Sequence, residues 1–193
     1  MVKIILASES KARKELLRQV GLYFSVVVPA VKEERALKSK PEDLVISNAL
    51  KKAEDVASKF KSGIVIAADT VVLSGDKIIG KPANIAQARL MLKEISRKSY
   101  WVYSGLAVIN LCGGSKEVGY EKTEIFMHQL SDQDIAGYFK KVDPLDKAGA
   151  FDIQGLGAVF IERIEGCFYN VVGLPLARLM KMLKKMGVSL SAQ

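Results

Sequence analysis

Serine and basic side chains converge near the start of the chain, where an apolar segment runs into a helical pattern. Ile4–Leu6 predicts a strand, Ser8 and Ser10 follow it, and the first turn of the predicted helix carries Lys11 and Arg13. Basic residues oppose the dipole at a helix N-terminus, so this arrangement is poor for stability. Hydroxyls, free backbone N–H groups and cations together can bind an anion such as phosphate. The run therefore predicts an anion site.

Asp69 is a second candidate, because it follows a strongly apolar segment that predicts a strand at 63–68. A carboxylate at the end of a buried strand is costly unless it is solvated, paired or metal-bound. In α/β sheets, ligands collect outside such strand ends. The alternative is a turn aspartate that bonds nearby backbone. A predicted hairpin would bring Lys81, in Gly80-Lys81-Pro82, back towards Asp69, although this tripeptide alone is typical of an ordinary loop.

Lys52 and the pair Glu33 and Glu34 each admit two interpretations. Lys52 lies at the edge of the apolar stripe of a helix predicted at 41–60, so it could extend to water or reach into a cleft towards an anion. The glutamates lie in a highly charged loop, for which solvation is the simple interpretation. Combined with Asp69, one of them would supply the oxygen ligands that Mg²⁺ prefers.

The segment 146–157 is rich in glycine and includes Gln154. Glycines allow backbone to approach a ligand closely, and an amide side chain offers a donor and an acceptor suited to a base edge. A plain glycine-rich turn between strands is the alternative. The segment is not a dinucleotide fingerprint, because the glycine spacing differs and no helix is predicted to open there.

Early alternation of strands and helices, followed by antiparallel pairs, predicts a mixed α/β fold. Ser39 and Glu42 form a candidate capping box for the second helix. The predicted helices are 10–21, 41–60, 84–96, 131–140 and 175–187. The predicted strands are 3–7, 23–28, 63–68, 77–79, 100–110, 117–128, 157–164 and 168–172.

Composition narrows the class of protein. With 193 residues, 49% of them hydrophobic, the chain can bury the core of one domain or of two closely packed lobes. It shows no membrane-spanning run and no signal peptide, and two cysteines without metal-like spacing favour a reducing, cytoplasmic compartment. The net charge of +8 fits either a polyanionic partner or a lysine-rich solvated surface. A single histidine excludes a multi-histidine metal site within one chain.

Several segments together resemble the Maf family of nucleoside triphosphate pyrophosphatases, and the resemblance covers nearly the whole chain. In chain order they read LASESKARKELL, AADTVV, GKP, PLDKAGAFDIQGLGA and IERIEGCFYNVVGLPL. The chain looks most like the branch that acts on dTTP and UTP, because it carries Ile153-Gln154-Gly155.

The resemblance implies a mixed-sheet α/β fold of the Maf and ITPase-like type: one domain over 1–193, with two lobes around a deep central cleft, often seen as a dimer. It implies hydrolysis of dTTP, UTP or modified nucleotides between the α and β phosphates, with Mg²⁺ or Mn²⁺. Asp69 matches the general base: it would orient or deprotonate the attacking water, or bind the metal that does so, and Glu33 would be a ligand of that metal. The matched positions for substrate binding are Ser8, Arg13, Lys52 and Lys81, and those for substrate preference are Ala12, Thr70 and Gln154.

The chain departs from the family pattern at two places. Ala12 stands where the family usually has an arginine, and Lys32-Glu33 replaces the usual Asp-Glu pair. Lys11 lies about 100° further round the helix, so it is poorly placed to replace the arginine. The Ala12 departure motivates an alternative function, a nucleotide-binding regulatory protein with little catalysis. RNA binding is a weaker alternative, because no basic tract interleaved with aromatic residues is present.

Overall fold

Alternating strand and helix patterns fold into a mixed sheet with helices. The computed structural model describes residues 2–37, 40–145 and 147–188. Its strands are β1 (Ile4–Leu6), β2 (Ser25–Val26), β3 (Ile64–Ser74), β4 (Lys77–Ile79), β5 (Tyr100–Asn110), β6 (Ser115–Met127) and β7 (Ile161–Glu165). Its α-helices are α1 (Lys11–Gln19), α2 (Pro41–Ala57), α3 (Ile85–Ile95), α4 (Asp132–Phe139), α5 (Phe168–Val172) and α6 (Leu176–Lys185).

The seven strands form one sheet in the order β2-β1-β3-β5-β6-β7, with β4 paired to β3. Strand β1 is parallel to both β2 and β3, whereas β4 is antiparallel to β3 and β7 is antiparallel to β6. Parallel pairs joined through helices and antiparallel hairpins thus coexist, which confirms the predicted mixed α/β class. Among the helices of the described residues, none is long and apolar enough to cross a membrane.

The chain divides into two compact units, considered separately below. The first unit comprises the described residues of Met1–Thr70, Tyr103–Glu121 and Tyr169–Gln193. The second unit comprises those of Val71–Val102 and Lys122–Phe168.

In the first unit, the alternation of side chains along a strand separates two apolar clusters. Ile64, Ile66 and Ala68 of β3 pack in the cluster that contains Leu16 of α1 and Leu179 of α6. Val65 and Ala67 pack in the other cluster, with apolar residues of α2. Successive strand residues point to opposite faces of a sheet, so helices cover both faces of β3. This explains why its first part is continuously apolar.

Gly105 of β5 lets α2 approach the sheet closely. A Cβ atom at this position would lie 2.2 Å from the backbone oxygen of Val45 in α2. Since no side chain fits there, the glycine fixes how near α2, and every side chain that it carries, lies to the strands.

Three local predictions are corrected by the structure. Asp69 lies inside β3 and not at its end, because pairing with β4 extends the strand to Ser74. The segment 168–172, predicted as a strand, is helix α5. The segment 157–164 begins within a 3₁₀ helix, Gly155–Phe160, and only then becomes β7.

The physical reason for the second of these differences is local. Phe168, Tyr169, Val171 and Val172 favour strands by propensity. They are, however, bounded by Gly166 and Gly173, which adopt positive φ and confine the segment to one short turn of helix. Ser39, half of the predicted capping box, lies outside the described residues, and helix α2 is preceded by Lys40, which makes no side-chain cap bond.

Candidate active site

The alternation along β3 sends Asp69 and Thr70 to opposite faces of the strand. Asp69 follows Val65 and Ala67 on the α2 face, and it contacts Lys52 of that helix. Thr70 follows Ala68 on the α1 face, and it contacts Arg13 of α1. One strand therefore supplies two adjacent polar residues to two different clusters of the first unit.

The Arg13 cluster consists of Arg13, Ser8, Thr70 and the carbonyls of Ala68 and Gly173. The guanidinium donates from Nε to the Gly173 carbonyl at 2.9 Å and from Nη1 to the Ala68 carbonyl at 2.8 Å. It also donates from Nη1 to Ser8 Oγ at 3.3 Å and from Nη2 to Thr70 Oγ1 at 3.0 Å. Every one of these acceptors is neutral, so the positive charge of Arg13 is held in place without being neutralised.

Two serines organise the backbone next to this guanidinium. Ser10 caps α1, since its hydroxyl accepts the backbone N–H of Arg13 at 3.3 Å. Ser8 is buried, and its hydroxyl accepts the N–H of Ser10 at 3.2 Å. The serines therefore satisfy helix N-terminal donors and orient Arg13, rather than lying as free hydroxyls.

The Lys52 cluster consists of Lys52, Glu33, Asp69 and Asn48. The Lys52 ammonium is buried and lies 2.6 Å from Asp69 Oδ1 and 2.5 Å from Glu33 Oε1. It also donates to the Ala68 carbonyl at 3.3 Å. Of the two interpretations of Lys52, extension to water is therefore excluded; its nearest anions are the protein's own carboxylates.

The two adjacent glutamates play different roles. The second oxygen of Glu33 pairs with Arg35, whose side chain is 67% exposed. Glu34 instead turns back on its own loop, where Oε1 accepts the N–H groups of Arg35 and Ala36, each at 3.1 Å. Glu33 is therefore the carboxylate that joins Asp69, while Glu34 shapes the loop.

The charges of the two clusters differ in sign. Lys52 contacts two carboxylates, so Lys52, Asp69 and the partly exposed Glu33 together carry one net negative charge, and the exposed Arg35 pairs with Glu33. The Arg13 cluster carries one net positive charge. The Ala68 carbonyl accepts from both Arg13 and Lys52, so the two clusters adjoin at a single peptide group.

The pKa values follow from these contacts. Burial acts to raise the pKa of the Glu33 carboxyl, but the hydrogen bond and charge of Lys52, with the charges of Arg35 and Arg13, outweigh it and leave the pKa below its ordinary value. Burial lowers the pKa of the Arg13 guanidinium, and the carboxylates of Asp69 and Glu33 act in the opposite direction. Arginine keeps its charge despite such a shift.

The donor set fits a hard divalent cation that shares its coordination with a substrate. Among the described residues, no group of three or more histidine, cysteine or acidic side chains could hold a metal by itself. Glu33 and Asp69 nevertheless converge on one point, the Lys52 ammonium. Mg²⁺ is commonly bound by one or two carboxylates, with waters and substrate phosphates completing its shell.

Two predicted residues, Lys81 and Gln154, belong to the second unit. Both are exposed, and Lys81 lines a groove of about 350 Å³ with residues of α3 and β4. The N–H of Gly149 donates to the Gly80 carbonyl at 3.2 Å, so the loop of Lys81 contacts the glycine-rich segment of Gln154. Gln154 immediately precedes the 3₁₀ helix Gly155–Phe160, and its N–H donates to Asp152 Oδ1 at 2.9 Å. Ala12 lies in the first turn of α1 and is partly buried.

Sequence reasoning missed three residues that the structure adds to the clusters. Asn48 is buried and bonds Asp69, Ser104 is buried and bonds Thr70, and Arg35 pairs with Glu33. Asn48 precedes Lys52 by one helical turn, so a polar residue on the apolar face of α2 was the available signal. Ser104 gave no comparable signal.

The fold and the clusters define an α/β protein in which a guanidinium group fixed by hydrogen bonds adjoins a carboxylate site. A comparison with family models gives the specific assignment: residues 3–186 match the family described as Maf-like protein. The chain belongs to this family, and the predicted resemblance is confirmed.

Two relatives match this chain over nearly its full length. A Methanococcoides burtonii protein named dTTP/UTP pyrophosphatase is 46% identical over 191 residues, covering 98% of each chain. A Methanosarcina mazei protein of the same name is 47% identical over 190 residues, covering 98% of this chain and 96% of that protein. The solved structure of the Staphylococcus aureus Ham1 protein is similar at a TM-score of 0.45 and 14% identity, covering 66% of this chain and 72% of that one.

Proposed function

We propose that this protein is a nucleoside triphosphate pyrophosphatase that hydrolyses dTTP and UTP, or modified nucleotides, to the monophosphate and pyrophosphate. The support is twofold. Full-length relatives at 46% and 47% identity bear the name dTTP/UTP pyrophosphatase. The observation that carries the proposal is the junction at the Ala68 carbonyl, where a cation whose hydrogen-bond acceptors are neutral adjoins the trio of Lys52, Glu33 and Asp69, which has a net negative charge.

Each cluster has a distinct task in this hydrolysis. The Arg13 charge, already oriented by its fixed hydrogen bonds, stabilises negative charge on the phosphates without reorganising. Glu33 and Asp69 would hold a divalent cation, Mg²⁺ or Mn²⁺, which when bound offsets the charge of the polyphosphate. Lys52 holds both carboxylates at one point.

Asp69 is assigned the proton of the attacking water. Water forms a bond to phosphorus while the bridging bond between the α and β phosphates breaks, and pyrophosphate leaves. The carboxylate oxygens of Asp69 each have one protein donor, Lys52 at Oδ1 and Asn48 at Oδ2. Since each oxygen has a second lone pair, Asp69 can still accept a hydrogen bond from water and then its proton.

Asp69→Asn tests this role. We expect kcat to fall by about 10²- to 10⁴-fold, the contribution typical of a positioned acid or base. Turnover is followed as pyrophosphate released from dTTP or UTP with Mg²⁺. Asp132→Asn, which removes an exposed carboxylate paired with Lys93, is the matched control and should keep wild-type turnover. Near-normal turnover of Asp69→Asn would contradict the assignment.

Base preference is assigned to the amide of Gln154, with Lys81 as a further phosphate contact. An amide offers both a donor and an acceptor to a base edge. Gln154→Ala should lower the ratio of kcat/KM for dTTP to that for GTP, and an unchanged ratio would remove Gln154 from the specificity site.

The same pyrophosphate-release assay distinguishes the proposed hydrolase from the alternative function, nucleotide binding with little catalysis. Bound nucleotide without release of pyrophosphate from any nucleoside triphosphate would favour the regulatory protein. The departure at Ala12 is the observation behind this alternative. The homodimer implied by the resemblance and the cytoplasmic location favoured by the two cysteines stay predictions.

A further inference from the structure

Asn48 is a buried amide whose hydrogen bonds join two parts of the Lys52 cluster. It is 1% exposed. Its Nδ2 donates to Asp69 Oδ2 and to the Glu34 carbonyl, and its Oδ1 accepts the Glu34 N–H, each at 2.9 Å. One side chain on α2 thereby links β3 to the loop that carries Glu33.

The hydrogen-bonding capacity of this amide fixes its orientation. Both Nδ2 hydrogens point to acceptors, and Oδ1 receives a donor. A flipped amide would place its oxygen against the Asp69 carboxylate and the Glu34 carbonyl, which are acceptors only. The contacts therefore permit one orientation, in which Asp69 must accept through Oδ2.

Two fixed donors then set the plane of the Asp69 carboxylate. Lys52 holds Oδ1 at 2.6 Å and Asn48 holds Oδ2 at 2.9 Å. The same amide pairs with both backbone polar groups of Glu34, next to Glu33 in sequence. Groups that orient a catalytic carboxylate or metal ligand typically contribute about 10- to 100-fold in activity or metal affinity.

We propose that Asn48 is a positioning residue for hydrolysis, which orients Asp69 and holds the Glu33 loop in register with it. This inference rests on the proposed function. Asn48 acts through Asp69 and Glu33 and is assigned no contact with substrate. The Arg13 cluster lies on the other face of β3, so Asn48 affects the chemical step rather than phosphate binding.

Asn48→Leu, of similar size but without hydrogen bonds, tests the proposal, and Asn48→Ser is the second variant if leucine prevents folding. We expect kcat to fall about 10- to 100-fold with KM nearly unchanged. The Glu34 amide, having lost its acceptor, should exchange hydrogen roughly tenfold faster.

The control is Val56→Ala, which removes buried apolar volume from the same helix. It should lower Tm while kcat and exchange at Glu34 stay at wild-type values, so stability loss alone is separated from lost positioning.

The outcomes distinguish this inference from the proposed function. If the wild-type protein releases pyrophosphate and both Asn48 variants keep kcat within twofold of the wild-type value, this inference is overturned and the proposed function is not. A rise in KM without a fall in kcat would also overturn it, because that result places Asn48 in binding. A wild-type protein that releases no pyrophosphate would overturn the proposed function, and this inference with it.

Discussion

The Arg13 cluster and the Lys52 cluster share one carbonyl and yet compensate their cations in opposite ways. Arg13 is surrounded by two hydroxyls and two carbonyls, so its charge remains available to a ligand. Lys52 meets two carboxylates, so its charge is more than neutralised. The two neighbouring cations thus differ in how far their charge is compensated, because their acceptors differ.

The difference matches the two halves of one ligand. A polyphosphate anion suits the uncompensated guanidinium, whose planar fork is typical of phosphate recognition. A hard cation accompanying that polyphosphate suits the carboxylate pair. Under the proposed function, one net positive and one net negative cluster side by side would together bind a metal-bound polyphosphate.

Removing the Lys52 charge should have the largest effect on stability. Lys52→Met leaves Glu33 and Asp69 facing each other without the cation that lies between them. Breaking a buried ion pair in this way should lower the unfolding free energy by about 3–5 kcal/mol. For a chain of this size, Tm should fall by roughly 10 °C. Lys51→Met, one residue earlier on the exposed side of α2, is the control and should change Tm little.

A double variant sharpens this prediction. Combining Lys52→Met with Asp69→Asn removes the repulsion between the two carboxylates, so the loss should be smaller than the sum of the single losses. The coupling free energy should be about 1–3 kcal/mol. Additive losses would show that the carboxylates do not depend on Lys52.

Arg13→Lys retains the positive charge but loses the planar guanidinium group with its several N–H donors. We expect the second largest effect on stability. A single ammonium cannot reach the Gly173 carbonyl, the Ala68 carbonyl and Thr70 together as the guanidinium does. Losing charge-assisted hydrogen bonds to these acceptors should cost about 2–3 kcal/mol in unfolding free energy, measured by urea denaturation. Arg18→Lys, exposed on the same helix, should cost less than about 0.5 kcal/mol. If Arg13→Lys and Arg18→Lys lose equal unfolding free energy, the hydrogen-bonding geometry of the Arg13 guanidinium does not contribute to stability.

Residues of the clusters were predicted from the sequence wherever residue type and local position sufficed. Ser8 and Arg13 follow strand β1, and Asp69 follows the continuously apolar first part of β3, so the alternation of strand and helix was enough to single them out. Asn48 was missed because its importance depends on hydrogen bonds to Glu34 and Asp69, and helical periodicity does not reveal these partners.

The length of β3 depended on a partner strand, whereas the helical form of α5 depended on the conformation of the glycines beside it. Asp69 lies within its strand because a later hairpin partner, β4, extends the pairing. Helix α5 overrides the β-propensity of its residues because glycines at both ends impose the turn. Local pattern therefore predicted which elements exist, whereas strand length and buried polar partners required the fold.

Ser104→Ala should weaken the Arg13 cluster by a smaller amount. The buried Ser104 hydroxyl lies 2.8 Å from Thr70 Oγ1 and donates to the Asn170 carbonyl at 3.1 Å. Thr70 keeps its bond from Arg13, so only about 1 kcal/mol should be lost, or roughly 2–4 °C in Tm. Ser115→Ala, at an exposed serine of β6, should leave Tm unchanged. A Tm for Ser104→Ala equal to that of the control would remove Ser104 from the cluster.

The smallest effect on stability and activity is expected for a substitution at Glu34. It distinguishes the role of Glu34 from that of the neighbouring Glu33 in the same loop. Oε1 of Glu34 accepts the N–H groups of Arg35 and Ala36, and a glutamine keeps that oxygen. Glu34→Gln should therefore change the unfolding free energy by less than about 0.5 kcal/mol and leave pyrophosphate release at the wild-type rate. Glu33→Gln removes one of the two charges facing Lys52, so its turnover should fall. If Glu34→Gln instead loses activity as Glu33→Gln does, the negative charge of the loop as a whole, and not the carboxylate aimed at Lys52, supports the reaction.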